Sequence, residues 1–108
     1  YGIIIINCAR GHLCNTESLI RGIENKKIGA LGLDVVEGEE GIYHQDMRTD
    51  IIKNKNMAYL RQFPNVVMTQ HLAFYTDAAV SSMVQLSLNG LWACYNDLDW
   101  DNELTKDL

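Results

Sequence analysis

The sequence predicts an α/β fold built on a parallel β-sheet. A segment rich in β-branched residues at 3–7 and a second apolar segment at 28–35 both have the pattern of strands. Between them, residues 16–26 carry apolar side chains at helical spacing. Two strands joined by a helix form a β-α-β unit, in which the strands are parallel and the crossover is right-handed.

The first three elements each have their own signals. The uninterrupted apolar run at 3–7 predicts a strand that is covered on both faces. Asn15 or Thr16 can cap the following helix, and two lysines near position 26 suit the negative end of its dipole. Glycines within the strand at 28–35 indicate that a neighbouring backbone or a ligand approaches closely.

The rest of the chain predicts a long connection, one more strand and a long helix. Residues 38–56 form a polar connection, and connections of that length are usually functional or disordered. A short helix is predicted over 57–63 and a third strand over 66–70. The last helix, 77–96, has so broad an apolar face that most of it is expected to be buried, and the acidic tail, 97–108, is expected to be frayed or tied to structure outside this chain.

Composition and charge narrow the class of protein. A chain of 108 residues, 47% hydrophobic and 21% charged, is ordinary for one globular domain. The net charge of −5 argues against nucleic acid or an anionic membrane as partner. Three cysteines without CxxC spacing predict reduced thiols of a cytoplasmic protein and no metal site. The chain starts without Met just before a strand, so we expect it to be the C-terminal piece of a longer protein.

Three charged residues stand close to the ends of the predicted strands. Arg10 follows the first strand, Glu39 follows the second, and His71 closes the third. Open α/β sheets bind their ligands at the carboxyl ends of the strands. An arginine can clamp a carboxylate, a histidine can move a proton, and a glutamate can hold that histidine protonated. The joint placement predicts proton-coupled hydride chemistry.

Each of the three residues also has a plain structural explanation. Arg10 could pair with an acid at the rim of the domain, and His71 could be a half-buried residue with satisfied hydrogen bonds. Glu39 could be a solvated carboxylate in an acidic loop. Only their placement together supports a functional interpretation.

Three stretches of the sequence resemble the D-isomer-specific 2-hydroxyacid dehydrogenases, and within them the D-lactate dehydrogenase branch. They are INCARG at 6–11, GLDVVEGE at 32–39 and NVVMTQHLAFYT at 65–76. The resemblance implies the C-terminal half of a Rossmann-type, doubly wound parallel sheet over residues 1–75. It implies that residues 76–108 form a helix and tail that return to a substrate domain lying mostly outside this chain.

The resemblance implies a role for each candidate catalytic residue. Arg10 matches the arginine that holds the carboxylate and keto oxygen of a 2-oxo acid. His71 matches the residue that gives its proton to the keto oxygen as hydride arrives. Glu39 matches the acid paired with that histidine, and an adjacent carboxylate favours the imidazolium form that can donate.

The resemblance also implies NAD as the cofactor. Cys8, Ala9 and Arg10 match backbone positions that line its nicotinamide side, and Asp34 matches an aspartate near the nicotinamide carboxamide. The sequence contains no glycine-rich fingerprint for the pyrophosphate. We therefore expect weak or absent NAD binding, and no activity, in the isolated chain.

The implied function is NAD-dependent reduction of a 2-oxo acid, with pyruvate, giving D-lactate, as the first choice. The alternatives are a dehydrogenase for a bulkier acid (2-oxoisocaproate, phenylpyruvate or 2-oxoglutarate) and a non-catalytic NAD-sensing binding protein on the same scaffold. Family members commonly form dimers, so a cytoplasmic homodimer is expected, without nucleic acid or membrane partners.

Two positions near His71 leave questions open. The family usually has proline directly before the histidine, where this chain has Gln70. Proline would stiffen the backbone there, so Gln70 bears on how firmly His71 is held. Tyr75 could edge the active site or fill the core at the strand-to-helix junction.

Overall fold

The computed structural model describes residues 2–51 and 53–100. These residues contain three strands: β1 (Ile3–Asn7), β2 (Ile28–Leu33) and β3 (Val66–Met68). The strands form one parallel sheet in the order β1-β2-β3. Three α-helices accompany the strands: α1 (Thr16–Glu24), α2 (Lys55–Leu60) and α3 (Asp77–Tyr95). The α/β class and the parallel sheet are confirmed. The chain divides after Ala73 into a unit that holds the sheet with α1 and α2 and a unit that holds α3.

The pairing of the strands places their carboxyl ends at one edge of the sheet. Asn7 at the end of β1 pairs with Leu33 at the end of β2, and Leu33 pairs with Met68 at the end of β3. Backbone hydrogen bonding continues beyond the strands, because the His71 N–H donates to the Asp34 carbonyl oxygen at 2.8 Å. The residues that follow the three strands are thereby brought next to one another.

Helices α1 and α2 cover one face of the sheet. The predicted apolar face of α1 is confirmed, since Leu19 and Ile23 are buried and Ile20 packs against the same core. The buried core consists of Leu19, Ile23, Ile28, Leu31, Leu33 and Leu60. Its side chains come from α1, β2 and α2, so the central strand carries the packing of this unit.

The opposite face of the sheet is open, so the predicted burial of β1 on both faces is wrong for this chain. Ile4 and Ile6 are 71% and 72% exposed, and Val67 of β3 is exposed beside them. Side chains alternate along a strand. Ile5 therefore packs on the core beneath the helices, while its two neighbours in β1 point to the uncovered side.

Strands β2 and β3 both end two residues before their predicted ends at 35 and 70. Backbone bonds from the Thr69 and His71 N–H groups still link the two segments beyond these ends. The side chain of Asp34, the first residue after β2, adds hydrogen bonds from the segment after β3. Val35 and Val36 are nevertheless buried, which explains why an apolar pattern predicted a longer strand.

The helices start at side-chain caps. Asn15, one of the two residues predicted to cap α1, is its N-cap and accepts a hydrogen bond from the Ser18 N–H at 3.0 Å. Asn54 caps α2 by accepting from the Met57 N–H at 3.0 Å. This cap starts α2 at residue 55, two residues before the predicted start at 57.

In the second unit, α3 spans 19 residues and is capped by Thr76. Ala93 is its one buried residue, so the prediction that most of this helix is buried is wrong for this chain. Many apolar side chains of α3 are exposed, and the described residues of its unit form no second helix or strand that could cover them. Trp100 lies against the helix at Gly90, and residues 101–108 of the predicted tail are outside the described residues.

None of the helices within residues 2–51 and 53–100 has the length and apolar character needed to span a membrane.

Replacing Leu60 with alanine should lower the free energy of unfolding by about 2–5 kcal/mol, because this side chain is 0% exposed and its loss leaves a cavity. Leu60→Met keeps the volume and should cost less than about 1.5 kcal/mol. Urea denaturation followed by circular dichroism measures both. Equal losses in the two variants would contradict the packing described here.

Candidate functional site

The loop after β1 is organised by Asn7, a buried residue at the end of the strand. Its amide nitrogen Nδ2 donates to the Arg10 carbonyl oxygen at 2.9 Å, and its Oδ1 accepts from the Ala9 N–H at 3.1 Å. Cys8, Ala9 and Arg10 are exposed, and the Arg10 guanidinium donates to the Ala9 carbonyl oxygen at 2.7 Å. The loop backbone is thus fixed while its side chains remain accessible.

Gly11 allows the loop after β1 to touch the segment after β2. A Cβ at this position would lie 2.4 Å from the carbonyl carbon of Val36, closer than side chains tolerate. On the same segment, the carboxylate of Glu37 accepts from the Thr16 N–H at 2.6 Å, at the start of α1. The hydrogen bond from this N–H is the main cause that lowers the pKa of Glu37. Backbone contact and carboxylate together hold the two strand ends side by side.

The turn after β2 orients the carboxylate of Glu39. Its Oε2 accepts from the Val36 N–H at 2.8 Å, so the side chain folds back over its own turn. Gly38 supplies the left-handed backbone, with a φ of +75°, and a Cβ there would meet the Asn54 side chain at 2.9 Å. Asn54 also donates to the Glu37 carbonyl oxygen at 2.9 Å, which ties the turn to the start of α2. The Val36 N–H therefore holds the Glu39 carboxylate, and Asn54 holds the turn that carries it.

Glu39 and His71 are in hydrogen-bond contact at the carboxyl edge of the sheet. The distance from His71 Nδ1 to Glu39 Oε1 is 2.5 Å. The two side chains are 30% and 13% exposed, respectively, so the pair is largely shielded from water. His71 has a left-handed backbone with a φ of +55°, which is uncommon for a residue other than glycine. Strained backbone of this kind clusters at functional sites.

Asp34 fixes the segment that carries His71. Its Oδ1 accepts from the Thr69 hydroxyl at 2.5 Å and from the Leu72 N–H at 2.8 Å, and its Oδ2 accepts from the Ala73 N–H at 2.9 Å. These donors flank His71 on both sides. Burial alone would raise the pKa of Asp34, but the three hydrogen bonds and the nearby His71 outweigh burial and lower it.

The structure brings together some of the residues predicted from the sequence and leaves others on a neighbouring loop. Glu39 and His71 are in direct contact, and Asp34 bonds the residues around the histidine. Arg10 lies on the exposed loop after β1 with Cys8 and Ala9.

Sequence reasoning missed the residues that hold these groups in place, chiefly Asn7, Glu37 and Thr69. Asn7 had a usable signal, since a lone polar residue that ends an apolar run needs hydrogen-bond partners once it is buried. Glu37 and Thr69 had none, because their partners lie 21 and 35 residues away in the sequence.

The carboxyl edge of the sheet offers exposed backbone and a carboxylate acceptor. The β1 loop presents exposed backbone at residues 8–10. A carboxylate has about four acceptor positions, and Asp34 uses three of them within the chain, so its Oδ2 retains capacity for an amide donor. No group of three or more His, Cys, Asp or Glu residues suited to a metal occurs in the described part of the chain.

Parallel strands that gather polar side chains at their carboxyl ends define the class of open-sheet, nucleotide-binding α/β domains. Residues 1–73 match the family profile of the D-isomer specific 2-hydroxyacid dehydrogenases, NAD binding domain. The chain belongs to this family, and its residues 1–73 form part of the NAD-binding domain.

Relatives with assigned names and a solved structure agree with this placement. The chain is 48% identical over 90 residues to an aromatic 2-oxoacid reductase of Clostridium sporogenes, covering 83% of this chain and 27% of the relative. It is 42% identical over 87 residues to a putative D-lactate dehydrogenase of Dictyostelium discoideum, covering 81% and 26%. It also superimposes on the NAD-complexed D-isomer specific 2-hydroxyacid dehydrogenase of Lactobacillus delbrueckii with a TM-score of 0.83 at 30% identity, covering 94% and 31%. The chain therefore spans less than a third of the length of these proteins.

Asp34→Asn should loosen the segment around His71. The substitution puts an N–H₂ group where a carboxylate oxygen accepts bonds, so at least one buried backbone N–H loses its partner, at a cost of about 1–3 kcal/mol. Hydrogen exchange of the amides at 69–73 should become faster than in the wild-type protein. Asp46→Asn, at an exposed Arg48 pair, is the matched control and should leave these amides unchanged.

Acid should have the same effect on the wild-type protein. Folding lowers the pKa of Asp34 below its ordinary 3.8. The stabilisation of the folded protein by the charged Asp34 carboxylate is therefore fully present above pH 3.8 and is lost as the pH falls through the lower pKa of the folded state. The protection factors of 69–73 should follow this course, and Asp34→Asn should not show it. An identical acid response in both proteins would rule Asp34 out as the cause.

Proposed function

We propose that this chain carries the proton-transfer residues of a longer enzyme that reduces a 2-oxo acid to a D-2-hydroxy acid with NADH. The observation that supports this most directly is the 2.5 Å contact of His71 Nδ1 with Glu39 Oε1 at the carboxyl edge of the sheet. Membership of an NAD-binding domain family supports the cofactor. The division at residue 75, the homodimer and the cytoplasmic location stay predictions.

His71 acts as the general acid in this proposal. Glu39 Oε1 accepts a hydrogen bond from Nδ1–H, which favours the imidazolium form, and Nε2–H is the donor to the keto oxygen of the substrate. Once that proton has moved, His71 is a neutral imidazole, and its contact with Glu39 keeps it oriented for the reverse reaction.

Arg10 is proposed to bind the carboxylate of the substrate. Its guanidinium is exposed, and its fork of N–H donors matches a carboxylate in two parallel hydrogen bonds. In this structure one of these donors contacts the Ala9 carbonyl oxygen on the same loop. The side chain exchanges this single neutral acceptor for a charged one when it binds the acid.

The cofactor supplies the hydride when it is bound. Backbone groups of Cys8, Ala9 and Arg10 are proposed to line its nicotinamide end, and Asp34 Oδ2 to accept from its carboxamide. Asp34 also accepts hydrogen bonds from the residues on both sides of His71. In this proposal one carboxylate therefore positions both the cofactor and the general acid.

Pyruvate remains our first choice of substrate, and an aromatic 2-oxo acid is the second candidate. The aromatic acid is a candidate because the aromatic 2-oxoacid reductase of Clostridium sporogenes is 48% identical to this chain over 90 residues. Turnover of pyruvate and phenylpyruvate by the full-length protein, each followed through NADH absorbance, decides between them.

His71→Ala in the full-length protein should lower kcat by about 10²–10⁴-fold, since a positioned general acid contributes that much. Binding of NADH, measured by calorimetry, should stay close to the wild-type value, because His71 is not placed on the cofactor. Wild-type turnover in this variant at neutral pH would refute the role of His71. Absence of NADH oxidation with every 2-oxo acid in the wild-type protein would refute the proposed reaction itself.

Arg10→Ala should raise KM for the 2-oxo acid by about 10²-fold or more and lower kcat as well, because a charged hydrogen-bond partner of the carboxylate is lost. Arg10→Lys keeps the charge but not the paired donors, so it should recover only part of the loss. Steady-state kinetics of the two variants measure the difference. Full recovery by lysine would show that charge alone is sufficient.

A further inference from the structure

A second histidine lies against the proposed proton donor. The ring centroids of His44 and His71 are 6.0 Å apart, with their planes tilted by 55°. Aromatic rings pack favourably in tilted arrangements at separations of about 4.5–7 Å. His44 comes from the connection between β2 and α2, so this contact joins the loop to the segment after β3.

The backbone of His44 is held in the conformation that presents the ring to His71. Its φ is +60°, in the left-handed region that residues with a side chain rarely adopt. The turn that produces this conformation starts at Glu39, whose carbonyl oxygen accepts from the N–H groups of Ile42 and Tyr43, both at 3.0 Å. The turn that delivers the Glu39 carboxylate therefore also carries His44.

The two contacts restrain the ring of His71 in different ways. The hydrogen bond between His71 Nδ1 and Glu39 Oε1 fixes one atom of the ring and does not by itself set the tilt of the ring about that atom. The ring of His44, an exposed residue, lies with its centroid 6.0 Å away and limits the tilt on the side that it occupies. Direction matters here because a general acid must bring Nε2 within about 2.6–3.2 Å of the oxygen that it protonates.

We propose that His44 is a positioning residue for His71: packed against the imidazole from the turn that carries Glu39, it holds Nε2 in the direction of the keto oxygen. The inference rests on the proposed function, because it assigns His44 to the same proton transfer. His44 then acts through His71 and makes no contact with the substrate. Its loss should therefore lower kcat and spare KM.

The matched variants are His44→Asn and His44→Phe in the full-length protein. Asparagine tolerates the left-handed backbone, so it removes the ring without adding strain. Phenylalanine keeps a ring of similar breadth but cannot ionise. His44→Asn should lower kcat by about tenfold, within the loss that small misplacements cause, with KM for the 2-oxo acid changed by less than about twofold. His44→Phe should keep kcat within about twofold of the wild-type value.

Three kinetic outcomes would overturn the proposal. An unchanged kcat in His44→Asn would show that the ring does not position His71. A raised KM with unchanged kcat would place His44 on the substrate instead. A loss in His44→Phe equal to that in His44→Asn would show that packing of a ring is not what matters.

Nuclear magnetic resonance of histidine-labelled full-length protein gives a readout that does not need turnover. Cross-relaxation between the ring protons of His44 and His71 is expected in the wild-type protein, and the His71 ring signals should shift in His44→Asn more than in His44→Phe. If these signals behave so while no 2-oxo acid is reduced, the positioning contact stands and the proposed function fails. If the 2-oxo acid is still reduced and neither substitution shifts the His71 ring signals, the positioning role is wrong.

Discussion

The hydrogen bonds of the Asp34 carboxylate are the interaction on which the rest of the site depends. They join the end of β2 to the segment after β3 at Thr69, Leu72 and Ala73. They flank His71, whose own N–H bonds the Asp34 carbonyl oxygen and whose backbone has the unfavourable left-handed φ. The lowered pKa of Asp34 has the same origin, because bonds that fix the chain also favour the charged carboxylate.

A second constraint is the close approach of the loops after β1 and β2. Gly11 lets the two backbones touch, and Glu37 binds the start of α1 from the other side. Since the turn that follows Glu37 delivers Glu39 to His71, the position of the acid depends on this contact. The contact between Glu39 and His71 therefore depends on the segments that follow all three strands. The segment after β1 contacts the segment after β2, which in turn contacts the segment after β3.

The sequence predicted the order and class of the elements well, because apolar periodicity reports which faces are buried. It overestimated burial where that signal concerns surfaces the chain leaves open: the outer face of β1 at Ile4 and Ile6, and nearly all of α3. It also extended β2 through Val35, which is buried without being in a strand. Periodicity records that a residue is apolar, but it does not say which partner covers it.

Within the site, residue type and placement at strand ends were enough to select Arg10, Glu39 and His71 as candidates. Their supports could not be selected in this way. The bond from Thr69 to Asp34 spans 35 positions, and the His44 ring lies beside His71 in a loop where His44 has a left-handed φ. Such contacts follow from the folded path of the chain and leave no local pattern in the sequence.

A crystal structure of the full-length protein with NADH and oxamate, a non-reactive analogue of a 2-oxo acid, tests the account most directly. The account predicts His71 Nε2 within about 2.6–3.2 Å of the oxamate oxygen that replaces the keto oxygen, with Nδ1 still on Glu39 and Arg10 paired to the carboxylate. An oxamate bound away from His71, or a His71 turned from Glu39 towards another partner, would contradict it.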